Sequence, residues 1–311
     1  MTSANTNSTN NAANSISSTN KLLTITGPTA CGKTSLAAEL AYQLGGEIIS
    51  ADSRQVFRGM DIGSGKDLDD YHIHDAGYEY NVYQFQNDYI RAYNDIVSRG
   101  RQPILCGGTG MYIEAVVKGY QLADAPVDPD FRSRMEAYTD EELTARLAGY
   151  IKLHNHTDTE SRDRLLRALE IQEYHRRYPE AYPHMPDVQH TVIGVSFPRA
   201  MVIERIGVRL RQRLENGMID EVKSLLDNGV PEDRLLRYGL EYRHVTQYLR
   251  GQCSYDDMYR DLYTDIRRFA KRQMTWFRRM ERQGISIHWI DGTQSLDTKV
   301  CQILSLFQEG D

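Results

Sequence analysis

Cysteine is scarce in this chain: 311 residues hold four, Cys31, Cys106, Cys253 and Cys301, far apart and without a C-x-x-C pair. A disulfide framework and a zinc knuckle are thereby excluded, and the cytosol is the natural compartment. Long apolar runs are lacking too. No stretch approaches the roughly 18 apolar residues that span a bilayer, which argues against a membrane role. Residues 1 to 20, MTSANTNSTNNAANSISSTN, contain no apolar block of the signal-peptide kind. They are so poor in apolar side chains that a disordered tail is expected there. Nor is there a positive excess, since the formal net charge is -6. That excludes a protein coating nucleic acid through its overall charge, although a whole-chain sum can hide a basic face.

What is present is an ordinary globular composition, 40% hydrophobic and 26% charged, long enough for one large or two modest domains. Its most informative stretch is KLLTITGPTACGKT, Lys21 to Thr34. An apolar run leads into Gly27-Pro28-Thr29-Ala30-Cys31-Gly32-Lys33-Thr34, which fits the phosphate-binding pattern G-x-x-x-x-G-K-[ST] at every fixed position. A buried strand ends in a glycine loop whose N–H groups turn inward, and a helix begins there with its positive end facing the same space. Lys33 is expected on a terminal phosphate and the Thr34 hydroxyl on a Mg²⁺ ion bridging phosphate oxygens. Cys31 reads as a small space-filling residue, with a thiol of lowered pKa as the alternative.

Apolar spacing predicts a helix from Thr34 to Leu44, closed by Gly45-Gly46, then a buried strand from Glu47 to Ala51 ending at Asp52. Strand, phosphate loop, helix and strand in that order imply a parallel α/β sheet of the P-loop NTPase-like kind, with ligands beyond the carboxyl ends of the strands. A further helix is expected over 82–97, a strand over 102–106 (QPILC), and a helix from Met111 to Val117 opened by Gly107-Gly108-Thr109-Gly110. Residues 120–189 show helical stretches and no convincing strand, and read as a helical insertion. The catalytic core would then comprise 21–119 and 190–311, the latter resuming with a strand at 190–197 (HTVIGVSF) and finishing with a strand at 286–290 and a terminal helix. Within that second part lies the hidden basic face. Between Arg260 and Arg282, eight basic residues (Arg260, Arg267, Arg268, Lys271, Arg272, Arg278, Arg279, Arg282) stand against three acidic ones. Apolar residues keep helical spacing among them, as expected of a helix that packs one stripe and offers arginines to phosphates.

Asp52 can serve as a helix cap, a magnesium-shell carboxylate or a general base. No later strand ends in the apolar-run-plus-Asp pattern of an ATPase or GTPase, and QPILC instead runs into Gly-Gly-Thr, which favours the base. Thr109 can cap its helix, serve a ligand, or both. His72 and His74 have no acidic or cysteine partners at metal spacing, so zinc is not expected.

Taken together, GPTACGKT (27–34), DSRQVFRGMDIGSGK (52–66), GGTGMY (107–112), DRLLRALE (163–170), IGVSFPR (193–199) and AKRQMTWF (270–277) resemble the bacterial tRNA dimethylallyltransferases. The resemblance implies transfer of a dimethylallyl group from dimethylallyl diphosphate to N6 of the adenosine immediately 3′ of the anticodon, by a Mg²⁺-dependent enzyme. It implies that Lys33, the loop N–H groups and the metal on Thr34 stabilise the departing diphosphate, that Arg209 clamps it, that Thr109 lies near the reacting centre, and that Asp52 takes the amine proton. It further implies a flipped-out base read by Gln55 with support from Ser53 and Arg54. Asp52 to Gln55, Asp163, Arg164, Leu165, Leu166 and Arg167, and Arg267, Arg268, Lys271 and Arg272 would then meet the tRNA anticodon arm. The enzyme is expected to act as a monomer. Two departures stand out. Tyr71 to Phe85 lacks the proline-containing acidic stretch usual in the family, and Glu241, in YGLEYR, stands where a Gly-Tyr pair is common. A carboxylate facing phosphates there would be unfavourable. The competing readings are an adenylate isopentenyltransferase acting on free AMP, ADP or ATP, a small-molecule kinase or ATP-switched module, and a non-enzymatic RNA-binding protein.

Overall fold

A computed structural model describes residues 21–64, 73–76, 78, 80–120, 122, 125–151, 159–179 and 184–309. The tail at 1–20, His72 and part of the shortened stretch at 71–85 lie outside the described residues.

The first strand, β1 (Lys21–Thr26), is buried along its whole length, as a run of KLLTIT at the centre of a sheet requires. Helix α1 (Lys33–Leu44) follows the phosphate loop and stops at Gly45, which takes the left-handed conformation that closes helices. Then come β2 (Gly46–Ser50), α2 (Val82–Ser98), β3 (Gln102–Gly107) and α3 (Gly110–Val117). Helices α4 (Pro129–Met135), α5 (Asp140–Tyr150) and α6 (Arg162–Arg177) precede β4 (Gln189–Ser196). The remainder is α7 (Arg199–Glu215), α8 (Met218–Asp227), α9 (Glu232–Leu235), α10 (Leu240–Leu249), the 28-residue α11 (Tyr255–Arg282), β5 (His288–Asp291) and α12 (Leu296–Glu309). Elements expected from the sequence over 34–44, 47–51, 82–97, 102–106, 111–117, 190–197 and 286–290 are thus present, with ends shifted by a residue or two.

The five strands run parallel in the order β2-β3-β1-β4-β5. The chain leaves β1 first toward β3 and β2 and later toward β4 and β5, so the order reverses at β1. A crevice opens beyond its carboxyl end, where open α/β sheets bind ligands. Helices α1 and α12 cover one face through Leu36, Leu40, Ile303 and Phe307. The other face is covered by α2, α3 and α11 through Phe85, Tyr89, Tyr112 and Phe277. A further cluster joins α7, α8, α10 and α11 to Val56, Phe57 and Met60, which brings the stretch after Asp52 against the C-terminal helices.

Helices α4 to α6 pack on a cluster of their own: Phe131, Met135, Leu143, Leu147, Leu165, Leu166 and Leu169. Its polar centre is Glu170, 1% exposed, which accepts from Arg132 Nε (2.8 Å) and Nη2 (3.0 Å) and from the Asp128 N–H (3.1 Å). Burial pushes the Glu170 carboxyl up, but the Arg132 hydrogen bond leads the effects that hold it below the usual carboxylate range.

Candidate functional site

At Gly27 the backbone turns with φ of 152°, and a Cβ there would lie 2.6 Å from the Val195 carbonyl oxygen of β4. Only glycine fits. Ala30 and Gly32 also take positive φ, 62° and 78°, a coil of the kind that turns N–H groups into a concavity. Helices α2, α5, α6 and α11 are capped by Asn81, Thr139, Ser161 and Ser254, whereas no side chain caps α1. Its N-terminal dipole faces the same concavity.

Three side chains hold the loop in this form. Lys33 Nζ reaches back to the Pro28 carbonyl (3.2 Å). Arg205 Nε on α7 donates to the Ala30 carbonyl (2.7 Å) while its guanidinium stacks on Phe197. Gln273 on α11, 8% exposed, accepts from the Thr29 N–H (2.8 Å) and donates to the Gly108 carbonyl (2.8 Å). Arg205 and Gln273 carry no role in the sequence reading. For Arg205 the available signal is its spacing: Arg205, Arg209 and Arg213 recur every four residues, one face of a helix. For Gln273 the only cue is its place within AKRQMTWF.

Beside the loop stand Asp52 and Thr109. The Ala51 N–H donates to the Cys106 carbonyl (2.7 Å), and the Thr109 N–H to the Ala51 carbonyl (3.2 Å), so the ends of β2 and β3 are tied together. Thr109 occupies the cap position of α3 but makes no side-chain cap; its Oγ1 accepts from the Ser53 N–H instead (3.3 Å). Asp52 Oδ1 accepts from the Arg54 N–H (2.9 Å). Burial pushes the Arg54 guanidinium below its ordinary pKa, with Asp52 the strongest influence in the other direction. Gln55 Oε1 accepts from Ser50 Oγ (3.0 Å).

Thr29, Lys33, Asp52, Ser53, Arg54, Gln55, Thr109 and Gln273 open on one cavity of about 1090 Å³. Thr34, Arg209, Arg213, Arg237, Glu241 and Arg243 line it too. Eight residues separate Arg205, on the loop, from Arg213, about 12 Å along the helix. Helix α7 therefore runs an arginine row from the loop, which Arg205 holds, to the cavity wall, which Arg209 and Arg213 line. Thr34 is exposed there, and the described residues contain no group of three or more His, Cys, Asp or Glu suited to a metal. A Mg²⁺ ion would accordingly depend on Thr34 and on oxygens brought by a diphosphate, which fits the ion's habit of taking few protein ligands.

The basic helix is as the sequence implies on its exposed side: Arg267, Arg268, Lys271 and Arg272 face outward, and Leu262, Ile266, Ala270, Gln273 and Phe277 face in. The stretch from Asp163 to Arg167 differs from expectation. Leu165 (1% exposed) and Leu166 (9%) are core residues of the α4–α6 cluster. Asp163 pairs with Arg132 (2.7 Å), and Arg167 Nη2 donates to the Ala125 carbonyl (2.6 Å). Arg164, paired with Glu160 on the surface, is the guanidinium of this stretch that faces solvent. Glu241 also differs: it pairs with Arg213 at 3.0 Å and is four-fifths buried, so its charge is met within the protein.

Comparison with known proteins agrees with this geometry. Residues 55–280 match the family model for IPP transferase, and residues 20–73 that for isopentenyl transferase. The chain is 51% identical over 298 residues to tRNA dimethylallyltransferase 1 of Porphyromonas gingivalis, covering 92% of this chain and 99% of that protein. It is 51% identical over 280 residues to tRNA dimethylallyltransferase 2 of Pelobacter propionicus, covering 87% and 90%. Among solved structures, the tRNA isopentenylpyrophosphate transferase of Bacillus halodurans superposes with a TM-score of 0.67 at 32% identity, over 93% of this chain and 97% of that one. A eukaryotic dimethylallyltransferase acting on tRNA shares the fold, with a TM-score of 0.67 at 21% identity, over 88% and 74%.

Proposed function

The chain belongs to the IPP transferase family, its reaction is the prenylation of tRNA, and we propose that it moves the dimethylallyl group of dimethylallyl diphosphate to N6 of the adenosine 3′-adjacent to the anticodon, releasing diphosphate. The observation that carries the reading is one cavity lined together by Thr29, Lys33 and Thr34 of the phosphate loop, by Arg54, Arg209, Arg213, Arg237 and Arg243, and by Asp52 and Thr109.

In this reading Lys33, the loop N–H groups and Arg209 hold the donor diphosphate. Their charges and dipoles are fixed in place before reaction, so they stabilise negative charge as it grows on the leaving oxygen. Mg²⁺, held by Thr34, would supply further charge neutralisation on the diphosphate. The base enters the cavity, flipped out of its stack, and is read by the Gln55 amide. N6 attacks the allylic carbon, the carbon–oxygen bond to diphosphate breaks, and Asp52 takes the proton that N6 loses. Base catalysis of this kind contributes on the order of 10² to 10⁴ in rate. The Arg54 N–H on Oδ1 orients the carboxylate. Arg164, Arg267, Arg268, Lys271 and Arg272 hold the RNA backbone. Four free thiols suit a cytoplasmic enzyme.

The test is incubation with dimethylallyl diphosphate and, separately, an anticodon stem-loop or AMP. Prenylation of the stem-loop is expected; prenylation of AMP alone would instead make the protein an adenylate isopentenyltransferase.

A further inference from the structure

The loop that follows DSRQ is gripped by three helices. Glu221 on α8 accepts from three consecutive backbone N–H groups, those of Asp61 (2.9 Å) and Ile62 (2.6 Å) on Oε2 and of Gly63 (3.0 Å) on Oε1. Tyr242 on α10, 1% exposed, donates its hydroxyl to the same Oε1 at 2.9 Å. Successive N–H groups of this kind form an anion-binding nest, and here a side chain of the protein itself fills it. The Gly63 carbonyl is held from the other side by Arg213 Nη1 (3.4 Å), and Arg213 is held in turn by Glu241 (3.0 Å). A Cβ at Gly63 would stand 2.8 Å from the Tyr242 ring, so the loop lies against α10 with no room to spare.

We propose that Glu221 and Tyr242, with the Arg213–Glu241 pair, are positioning residues: they lock residues 61–63 against α8 and α10 and so preset the RNA-reading wall before tRNA arrives. The inference rests on the tRNA-prenylation reading. The segment 52–64 carries Asp52 and Gln55 at one end and the gripped peptides at the other, and α10 begins within the segment 237–243, which lines the same cavity. The two segments also meet where Arg54 Nη2 donates to the Arg237 carbonyl (3.4 Å). Without the grip, RNA binding itself would have to order this wall, and apparent affinity falls by the fraction of molecules already in the competent form. The donor site lies at the phosphate loop and owes none of its contacts to Glu221. The same network gives Glu241 a purpose: it commits Arg213 to the Gly63 carbonyl.

Glu221→Gln is the primary variant, because both carboxylate oxygens accept and an amide must turn an N–H toward one of the donors. The expected result is a KM for the anticodon stem-loop raised at least about tenfold with kcat at saturating RNA within about threefold of the parent, and with unchanged affinity for dimethylallyl thiodiphosphate, an unreactive donor. Tyr242→Phe, which deletes one of the four hydrogen bonds, should show a smaller rise that does not add fully to that of Glu221→Gln in the double variant. An unchanged KM in Glu221→Gln overturns the proposal. So does a parallel fall of kcat and donor affinity, which would mark general damage. Absence of stem-loop prenylation by the parent enzyme would instead defeat the functional reading beneath it.

Discussion

Gln273 Oε1 stands 2.8 Å from the backbone nitrogen of Thr29, so the helix that carries the exposed arginines also fastens the glycine loop ahead of α1. Its amide nitrogen fastens Gly108 as well, at 2.8 Å. Replacing Gln273 by Leu leaves the buried Gly108 carbonyl without this partner, at a cost of about 1–3 kcal/mol, and frees the half-buried Thr29 N–H at the cavity wall. Thermal unfolding should occur several degrees lower and donor affinity should fall. Retention of the parent's donor affinity, measured by calorimetry, would show that the loop keeps its form without this contact.

Arg205 supports the same loop from α7, and its role depends on geometry that lysine lacks. The guanidinium donates through Nε to Ala30 while its plane lies on Phe197. Arg205→Ala and Arg205→Lys should therefore weaken donor binding to a similar degree, by about tenfold, the worth of one charge-assisted hydrogen bond. Full rescue by lysine would mean that the positive charge alone matters.

Asp52 and Lys33 should separate in their kinetics. Asp52→Asn is expected to bind donor normally and to lose on the order of 10² to 10⁴ in turnover. Lys33→Ala should lose donor affinity first. Equal loss of donor affinity in both variants would move Asp52 into the metal shell.

Stability should decline toward acid. Burial pushes the His175 and His190 imidazoles below their usual pKa, and a hydrogen bond from Arg176 leads the effects that hold Glu173 at about 2. Burial raises Glu114, but hydrogen bonds from Tyr120 and Arg279 bring it below its usual value. Every one of these groups binds protons more weakly folded than unfolded, so the unfolded chain takes up more protons as pH falls. Their contribution is complete above the unfolded values, about 6.5 for histidine and 4.3 for glutamate, and is lost below them. Melting temperature should drop between pH 7 and 5.5 and more steeply below about 4.5. A melting temperature that rises on acidification over this range would contradict the assignment.

Leu165 and Arg164 are neighbours with opposite expected effects. Leu165→Ala should destabilise the α4–α6 cluster by about 2–5 kcal/mol. Arg164→Ala should leave stability nearly unchanged and weaken RNA binding, more so at low salt. Equal RNA affinity of parent and Arg164→Ala at low salt would remove this arginine from the RNA surface.

Much of the site is readable because it is local. The phosphate loop, the strand end at Asp52 and the Gly-Gly-Thr edge are short motifs that fall at the ends of adjacent parallel strands, and strand periodicity places them there. The contacts that hold them are not local. Gln273 meets Thr29 across 244 residues, Arg205 meets Ala30 across 175, and Glu221 meets Asp61 across 160. No window of sequence contains both partners. Thr109 was readable as a cap position, but its hydroxyl turns to Ser53, a choice set by the neighbouring strand end. Leu165, Leu166 and Leu169 carry helical core spacing, and the structure follows that spacing where the family resemblance points to RNA contact. Glu241 looks adverse beside phosphates until Arg213 is found 3.0 Å away, on a helix 28 residues earlier.

The central claim is that donor and RNA enter one cavity and meet at Asp52. It is tested most directly by incubating the enzyme with dimethylallyl diphosphate and two anticodon stem-loops, then locating the product by mass spectrometry of nuclease fragments. One stem-loop carries adenosine 3′ of the anticodon, and the other carries purine riboside there, which lacks the N6 amine. The account predicts one dimethylallyl group on that adenosine and none on the second RNA. Prenylation of the purine-containing RNA elsewhere, or of neither RNA while ATP is consumed, would contradict it.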